Sequence, residues 1–320
     1  MTTANVTVIG AGVVGLTTAI RLAEHAHTVR IVTADPPAAT TSAAATAMVG
    51  LAFCEPMDRV PGWEAATLAE LDTVRTHPGS GIRIQRCLLG SRTSDATPPG
   101  IESWPGYTPA EPDDVPVGFS HGFWIDMTVA DMDRYLPYLV ERFITAGGVI
   151  DIAHIESLDE ITDSPIVVNC AGLGAGPLAD DPTLTGQWGM HVVIDNPGIN
   201  AAFMEGPPGP HDWVAWMPHG DRILIGGTID TERTDPTPDA ETGKRMLSAA
   251  VAANPLLATA QVVGYNSGLR PSRPSVRVEE EAVGVGCRLI HNYGHGSLGV
   301  TLAWGCANDV AMIIDTNPDP

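Results

Sequence analysis

Lysine is almost missing from this chain of 320 residues: Lys244 is the only one. With 17 lysines and arginines against 38 aspartates and glutamates, the formal net charge is −21. Such a surface repels nucleic-acid phosphates and anionic membranes, so neither is expected as a partner. Any arginine near an anionic ligand therefore matters more than usual. Cysteine is also scarce. Cys54, Cys87, Cys170, Cys287 and Cys306 are odd in number and form no C-x-x-C pair, which argues against zinc or a disulfide framework. No metal is expected, and the thiols are read as reduced and mostly buried in a cytoplasmic protein. No basic segment leads into an apolar one, so no secretory leader is expected. The longest apolar runs are broken well short of a membrane span. What remains, 44% apolar and only 17% charged, is a globular composition long enough for one or two domains.

The first thirty-five residues organise the rest. Asn5-Val6-Thr7-Val8-Ile9 is a β-branched run of the kind a buried parallel strand needs. Gly10-Ala11-Gly12-Val13-Val14-Gly15 follows without a gap, and Val13 to Glu24 then carries apolar residues at a helical period. A second apolar strand, Thr28 to Val32, leads to Asp35. This is G-x-G-x-x-G in its strand–turn–helix–strand setting, with an acidic residue at the expected distance. Gly10 permits the tight turn, Gly12 admits a pyrophosphate to the backbone, and Gly15 lets the helix lie close to the strand. The helix N-terminus, with the N–H groups of Val13 and Val14, offers a positive dipole end to phosphate. Asp35 can accept hydrogen bonds from the adenosine ribose. A dinucleotide is predicted, though the motif does not say which.

Farther along, Thr40-Thr41-Ser42 and the alanines after it suit a helix N-terminus close to a ligand. Helices are predicted over Trp63 to Thr76, Met127 to Ala146, Thr242 to Asn254 and Thr301 to Ile314. Strands are predicted at Gly81 to Leu89, Val149 to Ala153, Pro165 to Cys170, His191 to Ile194, Ile223 to Thr228, Ser275 to Glu279 and Arg288 to Tyr293. After the Pro165 strand, Ala171-Gly172 opens a small-residue turn that permits close backbone approach. The Pro/Gly-rich stretch Glu205 to Trp213 cannot continue a sheet and is a candidate active-site loop. Nucleotide-type pieces stand at the start, middle and end. Two interleaved domains are therefore expected: residues 1–50, 137–185 and 270–320 in one, 51–136 and 186–269 in the other.

Three segments together resemble the D-amino acid oxidase family of flavoproteins. They are Val8 to Gly15 with Thr40-Thr41-Ser42; Gly268-Leu269-Arg270-Pro271 to Arg277; and Leu289 to Gly299, with its His291-Asn292-Tyr293-Gly294-His295-Gly296 core, continuing to Gly305 and Ala307. Val168-Asn169-Cys170-Ala171-Gly172 matches as well. The resemblance implies an α/β fold, with a Rossmann-like FAD-binding domain of the glutathione-reductase type interleaved with a β-sheet substrate domain. It implies FAD, held by the fingerprint residues, Asp35, Thr40 to Ser42, Val168, Cys170 to Gly172, and Gly294, Gly296, Ser297, Leu298, Gly299 and Thr301. It implies oxidation of an amino acid at Cα by hydride transfer to flavin N5, with the imino acid hydrolysing and O2 reduced to H2O2. Arg277 matches the family's carboxylate-binding arginine, and a guanidinium fork suits that task. On the residues alone, Arg277 reads as a strand arginine paired with Glu279 or Glu280. Arg270 and Arg273 are read as structural.

The pocket departs from the family pattern. No tyrosine lies between Tyr138 and Tyr265. The two tyrosines usual in the family fall near His211 and on Ala215, leaving His211, Trp213 or Trp216 to fill the space. Ser297 stands beside the flavin where glycine is common. Thr46 to Gly50 and Gln187 to Met190 also differ from the usual pattern. The expected partners are O2 and an amino acid or amine substrate that is larger, cyclic or a biosynthetic intermediate, with a homodimer left open. The alternatives are a glycine or secondary-amine oxidase, a dehydrogenase using another acceptor, and a flavin-binding protein without turnover.

Overall fold

The computed structural model describes residues 3–93, 97–206, 212–281 and 287–316. The first stretch holds β1 (Asn5–Ile9), α1 (Val13–Glu24), β2 (Thr28–Thr33), β3 (Met48–Val49) and α2 (Val60–Val74). There follow β4 (Ile82–Ser91), β5 (Thr108–Pro109), β6 (His121–Ala130), α3 (Met132–Thr145), β7 (Val149–Ile152), β8 (Ile166–Asn169) and α4 (Ala175–Leu178). Next come β9 (Thr185–Asp195), β10 (Ala202–Glu205), β11 (Ala215–His219), β12 (Arg222–Gly226) and α5 (Ala240–Ala253). The chain closes with β13 (Val262–Glu281), β14 (Arg288–His295) and α6 (Gly299–Thr316). It forms two compact units, one of residues 1–82, 130–186 and 270–320, the other of 83–129 and 187–269.

In the first unit the strands run β7–β2–β1–β8–β14, all parallel, with β13 antiparallel beyond β14. Val8 pairs with Ile31 and Val168, and Val168 pairs with Ile290. Successive side chains on a strand point to opposite faces. Val8, Val168 and Ile290 therefore enter one hydrophobic core while Ile9, Val167 and Leu289 enter another. Both faces are covered, which is why these strands read as unbroken β-branched runs rather than as alternations. Helices α1 and α2 pack on α6, which is buried along most of its length. Residues 296–316 are long and apolar enough to cross a membrane, contrary to the expectation that no run reaches that length. Their apolarity is accounted for by burial against neighbouring helices, since a core helix is hydrophobic all round.

The second unit is built on the order β6–β4–β10–β11–β12–β9. β10 runs parallel to β4, while β10–β11, β11–β12 and β12–β9 are antiparallel. Its core gathers Val192, Ile194, Phe203, Trp216, Ile223 and Ile225 with Ala250 and Ala253 of α5. Phe203 and Trp216 stack with ring centroids 4.5 Å apart.

Two expectations are corrected. Residues 51–82 and 130–136, assigned to the substrate domain from sequence, belong to the first unit. The cause is α2, which is bonded to α6: the Gly305 N–H donates to Thr67 Oγ1 at 3.1 Å, and Trp63 Nε1 donates to Asp309 at 2.7 Å. Met127 to Ala130, read as the start of a helix, completes β6 instead. Asp131 sets the true start of α3, its carboxylate accepting the Asp133 N–H at 3.3 Å.

Candidate active site and cofactor cradle

The fingerprint folds as a cradle. A Cβ on Gly15 would drive into the carbonyl of Gly10, and one on Gly10 would come within 2.5 Å of the Cys170 carbonyl. Strand β1, helix α1 and the end of β8 thus touch backbone to backbone, which only glycine permits. Gly12 differs. A Cβ there would meet only side-chain hydroxyls, Ser42 at 3.1 Å and Thr40 at 3.9 Å. The space before α1 is therefore edged by hydrogen-bonding groups. Gly12 itself offers no side-chain cap and the first turn holds no acidic residue, so no charge neutralises the positive end of the helix. Ser42 Oγ accepts the Val13 N–H at 3.0 Å from 29 residues away, and Thr33 Oγ1 accepts that of Ala11 at 3.2 Å. Asp35 is exposed just past β2, its carbonyl held by Thr33 Oγ1 at 2.8 Å. These residues fit a dinucleotide: backbone and hydroxyls at the phosphates, a carboxylate at the ribose.

The middle and end of the chain complete the same unit. Val168 and Cys170 lie in the hydrophobic core, so their side chains shape the sheet rather than present a contact surface. Burial pushes the Cys170 thiol up to about 12, leaving it an inert packing group. Ala171 and Gly172 are half-buried just beyond. Gly294 and Gly296 both have positive φ, +86° and +55°, and turn the chain from β14 toward α6. Ser297 is exposed, Leu298 and Gly299 are half-buried, and Thr301 is buried in the first turn of α6.

The arginines of β13 differ sharply in what holds them. Arg277 donates to Glu279 at 2.7 Å, to Glu281 at 2.7 Å and to the Tyr293 hydroxyl at 2.8 Å. Burial works to lower its pKa, but these partners outweigh burial and raise it. The Tyr293 hydroxyl in turn donates to Asp181 at 2.9 Å, and Arg273 donates to the same carboxylate at 2.8 Å. Burial works to raise the Asp181 carboxyl; the bonds from Thr183, Arg273 and Tyr293 outweigh it and hold the group well below the usual carboxylate range. His291 joins the chain through Glu281 at 2.9 Å. Arg288 grips Glu280 with two bonds of 2.7 and 2.9 Å. Arg270 is half-buried like Arg273 and Arg277, and burial pushes its guanidinium down. Arg277 is thus ion-paired to Glu279 and Glu281 in this structure, and Glu280 to Arg288.

In the second unit Ala215 opens β11, opposite Gly226. Trp213 exchanges two backbone hydrogen bonds with Gly227, of 3.0 and 2.8 Å. Trp213 and Ala215 are half-buried while Val214 and Trp216 are buried, the alternation of a strand with one face in the core. Trp216 is committed to that core by its stack on Phe203 and its bond to the Ala201 carbonyl at 3.2 Å. His211 lies outside the described residues.

The chain belongs to the DAO family of FAD-dependent oxidoreductases: the family model described as FAD dependent oxidoreductase matches residues 5–313. Its cofactor is FAD. It is 35% identical over 314 residues to the D-amino-acid oxidase of Streptomyces coelicolor, covering 96% of each chain. The D-amino-acid oxidase of Rubrobacter xylanophilus is 35% identical over 312 residues, covering 97% of this chain and 95% of that one. Among solved structures, glycine oxidase from Bacillus cereus superposes with a TM-score of 0.81 at 19% identity, over 99% of this chain and 96% of that one. At that identity the likeness shows the fold alone.

Proposed function

We propose that the protein oxidises a D-amino acid, or a closely related amine, at Cα to an imine that hydrolyses to keto acid and ammonia. The observation that carries this reading is the near full-length identity to D-amino-acid oxidases, on a chain whose FAD cradle is intact. Bound FAD supplies the two-electron acceptor, which O2 restores with release of H2O2. The protein's own work is binding and orientation. The first turn of α1, Ser42 and Thr40 would hold the pyrophosphate, Asp35 the ribose, and the Gly294 to Thr301 turn the flavin end.

The substrate carboxylate needs a guanidinium in one orientation. Arg277 already spends its donors on two carboxylates and a phenol. We assign the anchoring to Arg277, the arginine that matches the family's carboxylate site, with the substrate carboxylate displacing Glu279 or Glu281 from the guanidinium. A small residue, Ala215, where the family carries a tyrosine favours a side chain wider than that of D-alanine.

The test is anaerobic mixing of the yellow protein with matched D- and L-amino acids, glycine and secondary amines. Bleaching of the flavin absorbance by D-enantiomers, fastest with bulky ones, supports the reading. A flavin that no D-amino acid bleaches overturns it.

A further inference from the structure

The segment after β3 has a backbone unlike its surroundings. Ala47, Gly50 and Leu51 all have positive φ, of 45°, 124° and 55°. Two of the three are not glycine, so the left-handed turns must be imposed by something else. Three consecutive N–H groups show what holds the turn at Gly50 and Leu51. The Gly50 N–H points to Thr301 Oγ1 at 3.5 Å, the Leu51 N–H donates to Glu64 Oε1 at 2.8 Å, and the Ala52 N–H donates to Glu64 Oε2 at 2.9 Å. Glu64 thus uses both carboxylate oxygens on adjacent peptides, and a charged acceptor makes these bonds the stronger kind.

The anchor is itself rigid. Glu64 follows Trp63 on α2, and that residue fills the place where a Cβ on Gly305 of α6 would stand. The segment held this way runs between the two ends of the FAD cradle. At one end Ser42 caps Val13 of α1; at the other Thr301 stands in the first turn of α6.

We propose that Glu64 is a positioning residue for the flavin. It touches neither cofactor nor substrate. Through the Leu51 and Ala52 N–H groups it holds residues 47–52 in the conformation that bound FAD requires, so the free protein is already shaped for its cofactor. This rests on FAD being the resident cofactor.

The experiment strips FAD from the parent and from E64Q, E64A and E70Q, then titrates FAD back and follows the quenching of its fluorescence. The visible circular dichroism of the bound flavin is recorded alongside. Glu70 lies on the same helix but pairs with Arg21 and Arg142, so E70Q perturbs α2 without touching the 47–52 segment. Glutamine keeps one acceptor oxygen and faces the other N–H with an amide. E64Q is therefore expected to weaken FAD binding about tenfold and to alter the flavin dichroism, as loss of one hydrogen bond to a charged acceptor implies. E70Q is expected to keep the parent's affinity. Parent-like affinity and dichroism in E64Q overturn the proposal, and so does E70Q weakening FAD as much as E64Q. If E64A fails to fold, E64Q decides. Failure of the parent itself to rebind FAD would overturn the cofactor assignment, a result separate from either.

Discussion

Arg270 and Arg277 stand seven positions apart on one strand, and only Arg277 matches the family's carboxylate-binding arginine. Arg277 sits in a ring of acceptors, so removing it would leave Glu279 and Glu281 facing each other. R277A should lower stability by roughly 1–3 kcal/mol and raise KM for the amino acid roughly a hundredfold, because a bidentate charged contact is lost. R270A, at a position read as structural, should leave KM within a fewfold of the parent with the flavin spectrum kept. Steady-state kinetics with thermal melts would check both, and a KM effect confined to R270A would reverse the assignment. Ala215 makes a second prediction at this scale. A215Y should cut kcat/KM for bulky D-amino acids by roughly tenfold and leave D-alanine little affected, since a pocket loses what its lining excludes. Equal losses across a substrate series would show that Ala215 does not set the width.

At the scale of elements, the packing of α2 on α6 does the most to build the cradle. Gly305 is the point of closest approach, where a Cβ would overlap the backbone of Trp63. G305A should therefore force the helices apart and cost at least about 1–3 kcal/mol, the range for overpacking in a close-packed interior. It should also weaken FAD binding, because Glu64 and Thr301 would move relative to each other. Urea unfolding with an FAD titration would read both effects, and a variant as stable as the parent would refute the packing argument. The sheet at this scale was legible in sequence because Val, Ile and Gly report covered strands and tight turns. The helix start at Met132 was not, since Met127 to Ala130 is apolar in either conformation and only Asp131 marks the boundary.

Over the whole molecule, charge is the dominant feature. A net −21 repels itself in the compact state, so added salt should raise the melting temperature, most steeply at low ionic strength. A flat salt dependence would show that local ion pairs such as those of Arg142 absorb the repulsion. Acid acts through a different route. Burial pushes His295 down to about 4, below the ordinary value near 6.5 of an unfolded chain. The unfolded state then binds a proton that the folded state refuses. The stability from burying neutral His295 is present above about pH 6.5 and is lost as pH falls toward 4, by about 3 kcal/mol in all. Urea midpoints of the FAD-free protein at high salt should follow that slope, and H295Q should flatten it.

The sequence by itself determined the dinucleotide fold, the interleaving of two domains and the family, because glycine spacing and β-branched runs are local consequences of close backbone packing. It also exposed the pocket's lack of tyrosine, which is a matter of residue type alone. Only the tertiary structure brought Tyr293 of β14 to Arg277, whose carboxylate partners Glu279 and Glu281 lie on its own strand. It alone committed Trp216 to the core and brought Glu64 to the Leu51 and Ala52 N–H groups. Those facts depend on which side chains meet across elements distant in the chain. Spacing along the sequence carries no record of such meetings.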